Sequence, residues 1–224
     1  MKNLRSPAGT APALKPPPKP RGRPRSFDRV AALDAAMHVF WEKGYEGASI
    51  NDLTSAMGVN PPSLYAAFGD KEQLFLAAID HYASARRDQM CPEQKTAKDA
   101  VAAYLRFKVD LLTGEGHPAG CMLMVAFFTV ANASPKLHKV LAQKRAQSRE
   151  HLKERIKQGI RDGDVAPGTD AEELADFYSA FIAGIAQESR DGASRKSLLG
   201  MVERALAAFP VATPAARKKN LETA

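Results

Sequence analysis

Three groups of side chains in this 224-residue chain are equipped for chemistry. The first lies in SINDLTSAMGVNPPSLYAAFGDKEQLF, which runs from Ser49 to Phe75. There Ser49, Asn60, Ser63, Tyr65 and Lys71 offer hydroxyl, amide, phenol and ammonium groups, the types that meet phosphate oxygens and base edges. The second is Pro20-Arg21-Gly22-Arg23-Pro24-Arg25, a compact cationic run suited to neutralising phosphates. The third is Cys121, which follows His117, Pro118, Ala119 and Gly120 at the head of an apolar segment. Free amides and the dipole at a helix start favour a thiolate. A small buried side chain is the alternative reading of Cys121, since free cysteine packs readily. His117 and Cys121 could share an ion with His81, His138 or His151, but no zinc or copper spacing is present and no metal is expected.

The elements that must carry these groups are legible in the caps. Ser49 is placed to open a short helix, because its oxygen satisfies an amide of the first turn. Ile50, Leu53 and Met57 follow at helical spacing. Gly58 stands where a left-handed C-cap wants glycine. Asn60 is placed to cap a second short helix with Pro61 and Pro62 in its opening positions, where the missing amides cost nothing. Leu64 and Phe68 point inward at that spacing, leaving Ser63, Tyr65, Ala66 and Ala67 outward. Two short helices about a tight turn make a helix-turn-helix. Upstream, Ser26 is placed to cap a helix over 27–43, with Val30, Leu33, Met37 and Phe40 as its buried stripe. Trp41 adjoins that stripe as core, and Gly44 closes the helix. Downstream, Asp70 caps a fourth helix reaching about residue 89, with Gln73 as its capping-box partner.

Gly44-Tyr45, Ser49, Gly58-Val59, Leu64-Tyr65, Phe68, Lys71-Glu72 and Leu74 together resemble the DNA-binding domain of the TetR family of one-component regulators. The resemblance is close over 26–78 and holds in outline beyond. It implies an all-α fold of nine helices: a three-helix helix-turn-helix domain, then a helical ligand-binding and dimerisation domain. It implies phosphate contacts from Ser49, Tyr65 and Lys71, and sets Asn60, Pro61, Pro62, Ser63, Ala66 and Ala67 at or near base edges. Prolines and alanines stand where many relatives carry larger polar groups, so base readout is expected to be lean. Alanine and proline can still touch a thymine methyl. The run at Arg21, Arg23 and Arg25 resembles an AT-hook core, which lies extended in a narrow A·T-rich minor groove. A solvated tail that only steers the approach is the other reading.

Beyond residue 95, helical periodicity recurs over 96–112, 121–131, 134–161, 170–188 and 195–209, without strand-type alternation. The expected divisions are a basic, Pro-rich flexible arm over 1–25 and a helix-turn-helix domain over 26–72. A ligand-binding and dimerisation domain over 73–210 and a flexible tail over 211–224 follow. The resemblance implies a homodimer through the last two helices. Leu174, Phe177, Phe181 and Ile185 line one, with Ala180, Ala183 and Gly184 allowing close approach, and Leu198, Val202, Ala205 and Phe209 line the other. Stripes that face only their own core are the alternative. The resemblance also implies an effector pocket among the middle helices. Candidate lining residues are Tyr104, Phe107, Met122, Met124, Phe127, Phe128 and Phe177, each of which also suits plain core. Such a lining fits a hydrophobic or flat ligand. Gly120-Cys121 followed by Met122-Leu123-Met124 is similar to a branch of the family that senses oxidants and electrophiles through a thiol.

Composition narrows the function classes. Residues 1–30 hold eight Lys/Arg against Asp28 alone, so they carry the whole formal charge of +7. A basic arm on a neutral body suits a phosphate-bearing partner. No apolar stretch has the length of a membrane span or the form of a signal peptide. Cys91 and Cys121 stand far apart, which fits a reducing cytoplasm. Neither a Gly-rich phosphate cradle, a nucleophile elbow nor an HExxH motif is present, so neither an enzyme nor a cofactor is expected. The expectation is a DNA-binding transcriptional regulator, a repressor released from a palindromic operator by a small ligand or by thiol modification. Its expected partners are double-stranded operator DNA, a second copy and a small effector. An architectural A·T-rich DNA binder is the alternative, though it would need no core-rich C-terminal region.

Overall fold

The computed structural model describes residues 28–84, 94–128 and 134–213. Nine helices occur among the described residues: α1 (Arg29–Gly47), α2 (Ile50–Met57), α3 (Pro61–Phe68), α4 (Lys71–Ser84), α5 (Ala97–Thr113), α6 (Met122–Phe128), α7 (Pro135–Arg161), α8 (Ala171–Arg190) and α9 (Arg195–Ala207). The only β-type pairing among them is an isolated antiparallel bridge between Val165 and Val211.

The caps explain most of the boundaries. Ser49, Asn60, Thr96, Ser134, Asp170 and Ser194 each accept amide hydrogens of the helix they precede. The start of α1 differs from expectation. Asp28, not Ser26, is the N-cap, its carboxylate accepting from Val30 N at 3.0 Å and Ala31 N at 3.1 Å; Ser26 lies outside the described residues. Val30 is 66% exposed, because it sits in the first turn ahead of the packed stripe of Leu33, Met37, Phe40 and Trp41. Gly44 takes φ 72°, ψ 178° and interrupts α1 there. At α4, Gln73 N donates to Asp70 Oδ1 at 2.7 Å, but the Gln73 amide returns to the Asp70 carboxylate and not to its backbone. The expected continuation of this helix to residue 89 runs beyond Ser84 into residues outside the description, as does Cys91.

The helix-turn-helix angle rests on Gly58, which adopts φ +65° between α2 and α3. A Cβ there would meet no heavy atom within 4 Å, so the cost of a side chain is conformational and not steric crowding. Gly58→Ala should therefore cost about 1–2 kcal/mol, read as a lowered melting temperature; an unchanged melt would show that the turn is not under this constraint.

Packing joins the two halves through α1 and α4. Phe40 meets Phe75 edge-on at 4.8 Å, and Tyr45 leans on Phe75 at 5.0 Å. Further along, Trp41 meets Tyr82 edge-on at 5.0 Å. The helix α4 thus crosses residue 72, touching α1 along its length and α6 beyond it. In the C-terminal half, α5 packs on α9, α8 and α7. Ser189 Oγ donates to Leu112 O at 2.8 Å, and Tyr178 OH donates to Ala205 O at 3.2 Å; both are buried. Burial pushes the Tyr178 phenol up to about 12.

The expected dimer stripe divides between the chain's own core and its surface. Ile185, Leu198 and Val202 are fully buried and Phe209 nearly so, because α9 lays that face on α5 and α8. Leu174 and Phe181 are half-buried. The outward part of the expected face is Phe177, 47% exposed, with Ala180 and Gly184 on α8, and Gly200 on α9 joins it.

Candidate nucleic-acid interface and effector cavity

Ser49 fixes the start of α2 by a two-way contact. Its Oγ accepts from Asp52 N at 3.0 Å and donates to Asp52 Oδ2 at 2.7 Å, while Ser49 N donates to the same carboxylate at 3.0 Å. Lys43 Nζ pairs with Asp52 Oδ1 at 2.7 Å. Asp52 and Lys43 were not singled out from sequence, although the Ser-x-x-Asp spacing was its signal. The Lys43 ammonium, then the Ser49 hydroxyl and amide, hold the Asp52 carboxyl well below its ordinary value of 3.8. A depressed carboxyl contributes fully above that ordinary value and loses its contribution only as pH falls through the lower one. Asp52→Asn should therefore flatten the acid side of the melting-temperature profile relative to wild type. Identical acid profiles would show that the box contributes nothing.

The exposed surface of α3 carries Pro61, Pro62, Ser63, Tyr65 and Ala66, with Tyr65 47% exposed. Leu64 and Phe68 hold this helix to the core. Asn60 Oδ1 accepts from Ser63 N at 2.9 Å, so the cap occupies its oxygen and its amide nitrogen remains the hydrogen-bonding end on this surface. Ala67 is half-buried against the core, set back from the neighbours with which it was grouped. Lys71 is half-buried, its ammonium 4.7 Å from the Tyr45 ring centroid. Burial draws its pKa down, with Glu46 opposing. Arg29, not foreseen, lies 4.7 Å over the Phe68 ring and so adds a cation where α1 meets α3. Arg21, Arg23 and Arg25 lie outside the described residues.

A second site lies among α5, α6, α7 and α8: a cavity of about 140 Å³ walled by Tyr104, Cys121, Met124, Leu152 and Ile182, with Lys108 and Arg145 also on its lining. Three expected lining residues fall elsewhere. Phe177 stands on the outer face of α8, Met122 is core, and Phe107 is half-buried beneath Lys108, whose ammonium is 5.9 Å from its ring. The backbone of Phe127 and Phe128 belongs to α6, but their side chains lie outside the described residues. Neither Lys108 nor Arg145 was anticipated. Arg145 sits in the strongly charged run of α7, where the sequence offers no sign that it turns toward a cavity.

Cys121 precedes α6 and does not lie within it, and its carbonyl accepts from Met124 N at 2.9 Å and Val125 N at 3.0 Å. Residues 129–131, expected to end this helix, lie outside the description. Gly120 sets the approach with φ +86°; a Cβ there would come within 2.5 Å of Arg190 Cγ. Cys121 is buried, and Tyr82 OH donates to its sulfur at 3.5 Å. Tyr82 in turn packs on Trp41, and His117 stacks on the same indole at 4.7 Å with an interplanar angle of 13°. The sulfur on the cavity wall is therefore two side chains from α1, the helix on which the helix-turn-helix packs. Among the described residues, no group of three or more His, Cys, Asp or Glu is placed to hold a metal ion. Nor is any helix among them long and apolar enough to cross a membrane.

Comparison with known proteins fits this geometry. The family described as bacterial regulatory proteins, tetR family, matches residues 32–78, and the tetracyclin repressor-like C-terminal domain matches residues 97–206. The HTH-type transcriptional repressor ComR of Escherichia coli K12 is 35% identical over 196 residues, covering 86% of this chain and 93% of ComR. The repressor BdcR of the same strain is 26% identical over 182 residues, covering 79% of this chain and 86% of BdcR. Among solved structures, a cysteine-substituted form of the TetR family regulator CifR, complexed with 26-base-pair operator DNA, superposes with a TM-score of 0.79. It is 44% identical, covering 84% of this chain and 100% of that one. The chain belongs to the TetR family of bacterial regulatory proteins and is a helix-turn-helix transcriptional regulator, not an enzyme.

Proposed function

We propose that this protein is a homodimeric repressor that binds a palindromic operator through α2 and α3. It is released when the cavity beside Cys121 is occupied or its thiol is modified. The names of ComR and BdcR as repressors support the sign of regulation, and the operator complex of CifR supports the DNA partner. Ser49, Tyr65 and Lys71 position the head on phosphates, while Asn60 and Ser63, with Pro61, Pro62 and Ala66 around them, meet the base edges. The arm over 1–25, with Arg21, Arg23 and Arg25, adds minor-groove or phosphate contact beside the head. Phe177, Ala180, Phe181 and Gly184 on α8 and Gly200 on α9 form the self-association surface, which makes a two-fold operator the natural target. A reducing cytoplasm suits Cys91 and Cys121, which stand far apart in the sequence.

The observation that carries the regulatory reading is the Tyr82–Cys121 hydrogen bond, with Trp41 of α1 packed on Tyr82. A group added at the cavity wall must displace one of these side chains, and a ligand that favours the displaced arrangement shifts the spacing of the two heads. The test is fluorescence anisotropy on a selected operator, with and without peroxide or N-ethylmaleimide, for wild type and Cys121→Ser. Release of the wild type alone assigns the response to Cys121; equal behaviour of both proteins removes the thiol from the mechanism. In the same assay Lys71→Ala should lower the slope of log affinity against log salt by about one unit. An unchanged slope takes Lys71 off the list of phosphate contacts.

A further inference from the structure

Asn60, the cap of α3, has one of its two polar ends already committed. Its Oδ1 accepts from Ser63 N at 2.9 Å, so the side-chain amide is held by its oxygen. What it presents on the exposed surface is the Nδ2 amino group, a donor with no acceptor beside it. The backbone at the same helix start adds no further donor. Pro61 and Pro62 have no amide hydrogen, the Ser63 amide is spent on the cap, and Leu64 N donates to Asn60 O at 3.1 Å. Nor does α3, PPSLYAAF, carry a charged side chain. Its exposed surface is thus the Asn60 amino group, the Ser63 hydroxyl and the Tyr65 phenol, set among apolar matter from Pro61, Pro62 and Ala66. Pro62 and Ala66 stand side by side, four residues apart on one helix face.

We infer that this surface selects thymine in the major groove, the Asn60 amino group donating to O4 while Pro62 and Ala66 receive a C5 methyl. The inference rests on the reading of α3 as the helix that meets base edges, and it names the base. In the major groove the four bases differ in their donors, their acceptors and the thymine methyl. Cytosine offers a donor, which would meet the Asn60 donor with nothing to accept either hydrogen. Adenine pairs with asparagine through two bonds that need both ends of the amide, and here the oxygen is committed to the cap. Guanine offers two acceptors, but its common readers are arginine and lysine, and α3 has neither. Guanine also brings no methyl to the apolar surface. Thymine alone sets an acceptor beside a methyl, which is the complement of a donor beside proline and alanine.

The test uses the full-length chain and a selected operator in which the thymines of one half-site are replaced one at a time by deoxyuridine. That change keeps O4 and the base pairing and removes only the methyl. Fluorescence anisotropy should show a loss of about fourfold at the contacted thymine. Exchanging the same T·A pair for C·G should cost at least about fivefold. Asn60→Ser keeps a capping oxygen and deletes the amino group, so it should melt like wild type and lose most of the preference for thymine over cytosine. Deoxyuridine operators that bind like the parent at every position, or an Asn60→Ser protein with the full thymine preference, would each overturn the inference. Ala66→Glu separates it from the reading beneath. Glutamate suits an exposed helix position, but its carboxylate would face the DNA, so operator binding should be lost with the melt unchanged. An Ala66→Glu protein that binds like wild type would mean that α3 is not the reading helix. Lost binding together with indifference to deoxyuridine would end the thymine assignment alone.

Discussion

Phe177→Glu should leave the fold intact and lower operator affinity by about two to four orders of magnitude. Phe177 is 47% exposed on α8, next to Ala180 and near Gly184, so the single chain loses little when this ring is replaced. Exposed substitutions of that kind stay within about 0.5 kcal/mol in stability. In a dimer the same position would bring two carboxylates together on an apolar two-fold surface, and like charges there oppose association. Without the partner, each head must find its half-site alone, and the effective concentration that couples the two binding events is lost. Sedimentation velocity beside operator anisotropy reads both effects. A variant that remains dimeric and binds like wild type would show that the molecules associate through another face. Ile185, Leu198 and Val202 offer no such test, since they are fully buried and their truncation would unfold the chain before it separated two chains.

Trp41→Ala should cost about 3–5 kcal/mol of stability, a large share of what a domain of this kind has. The indole is 1% exposed, with Tyr82 edge-on against it at 5.0 Å and His117 stacked on it at 4.7 Å. Removing it opens a void where α1, α4 and the segment before α6 meet, which the rigid helices cannot fill. Tyr82→Phe is the informative companion. It keeps the ring on Trp41 but deletes the hydroxyl that donates to Cys121 Sγ at 3.5 Å. The thermal melt should barely move, while release of operator by N-ethylmaleimide should weaken. A Trp41→Ala protein that melts like wild type would mean this junction is not packed as described.

The reading head was legible from sequence because its signals are local. Ser49, Gly58 and Asn60 act on amides one to four residues away, and each takes the expected place. The start of α1 was harder: the sequence reading set the cap at Ser26, whereas the Asp28 carboxylate accepts the first amides. Periodicity marked Leu198 and Val202 as a buried face but could not say which surface covers it; α5 and α8 of the same chain do. Phe177 was grouped with the pocket for its ring and with the dimer stripe for its spacing; its outward position on α8 suits the second and not the first. Lys108 and Arg145 were illegible for a deeper reason. A cation beside a cavity is defined by what three other helices bring near it, and the residues adjacent in sequence carry no trace of that.

The most direct test of the account is footprinting on a selected operator, with the mass of the complex determined on the same DNA. The account predicts a protected region with two-fold symmetry, two half-sites on one face of the duplex, and two chains per site. Protection without symmetry or sequence preference, spread over A·T-rich DNA at one chain per contact, would contradict it and favour an architectural role for the basic arm.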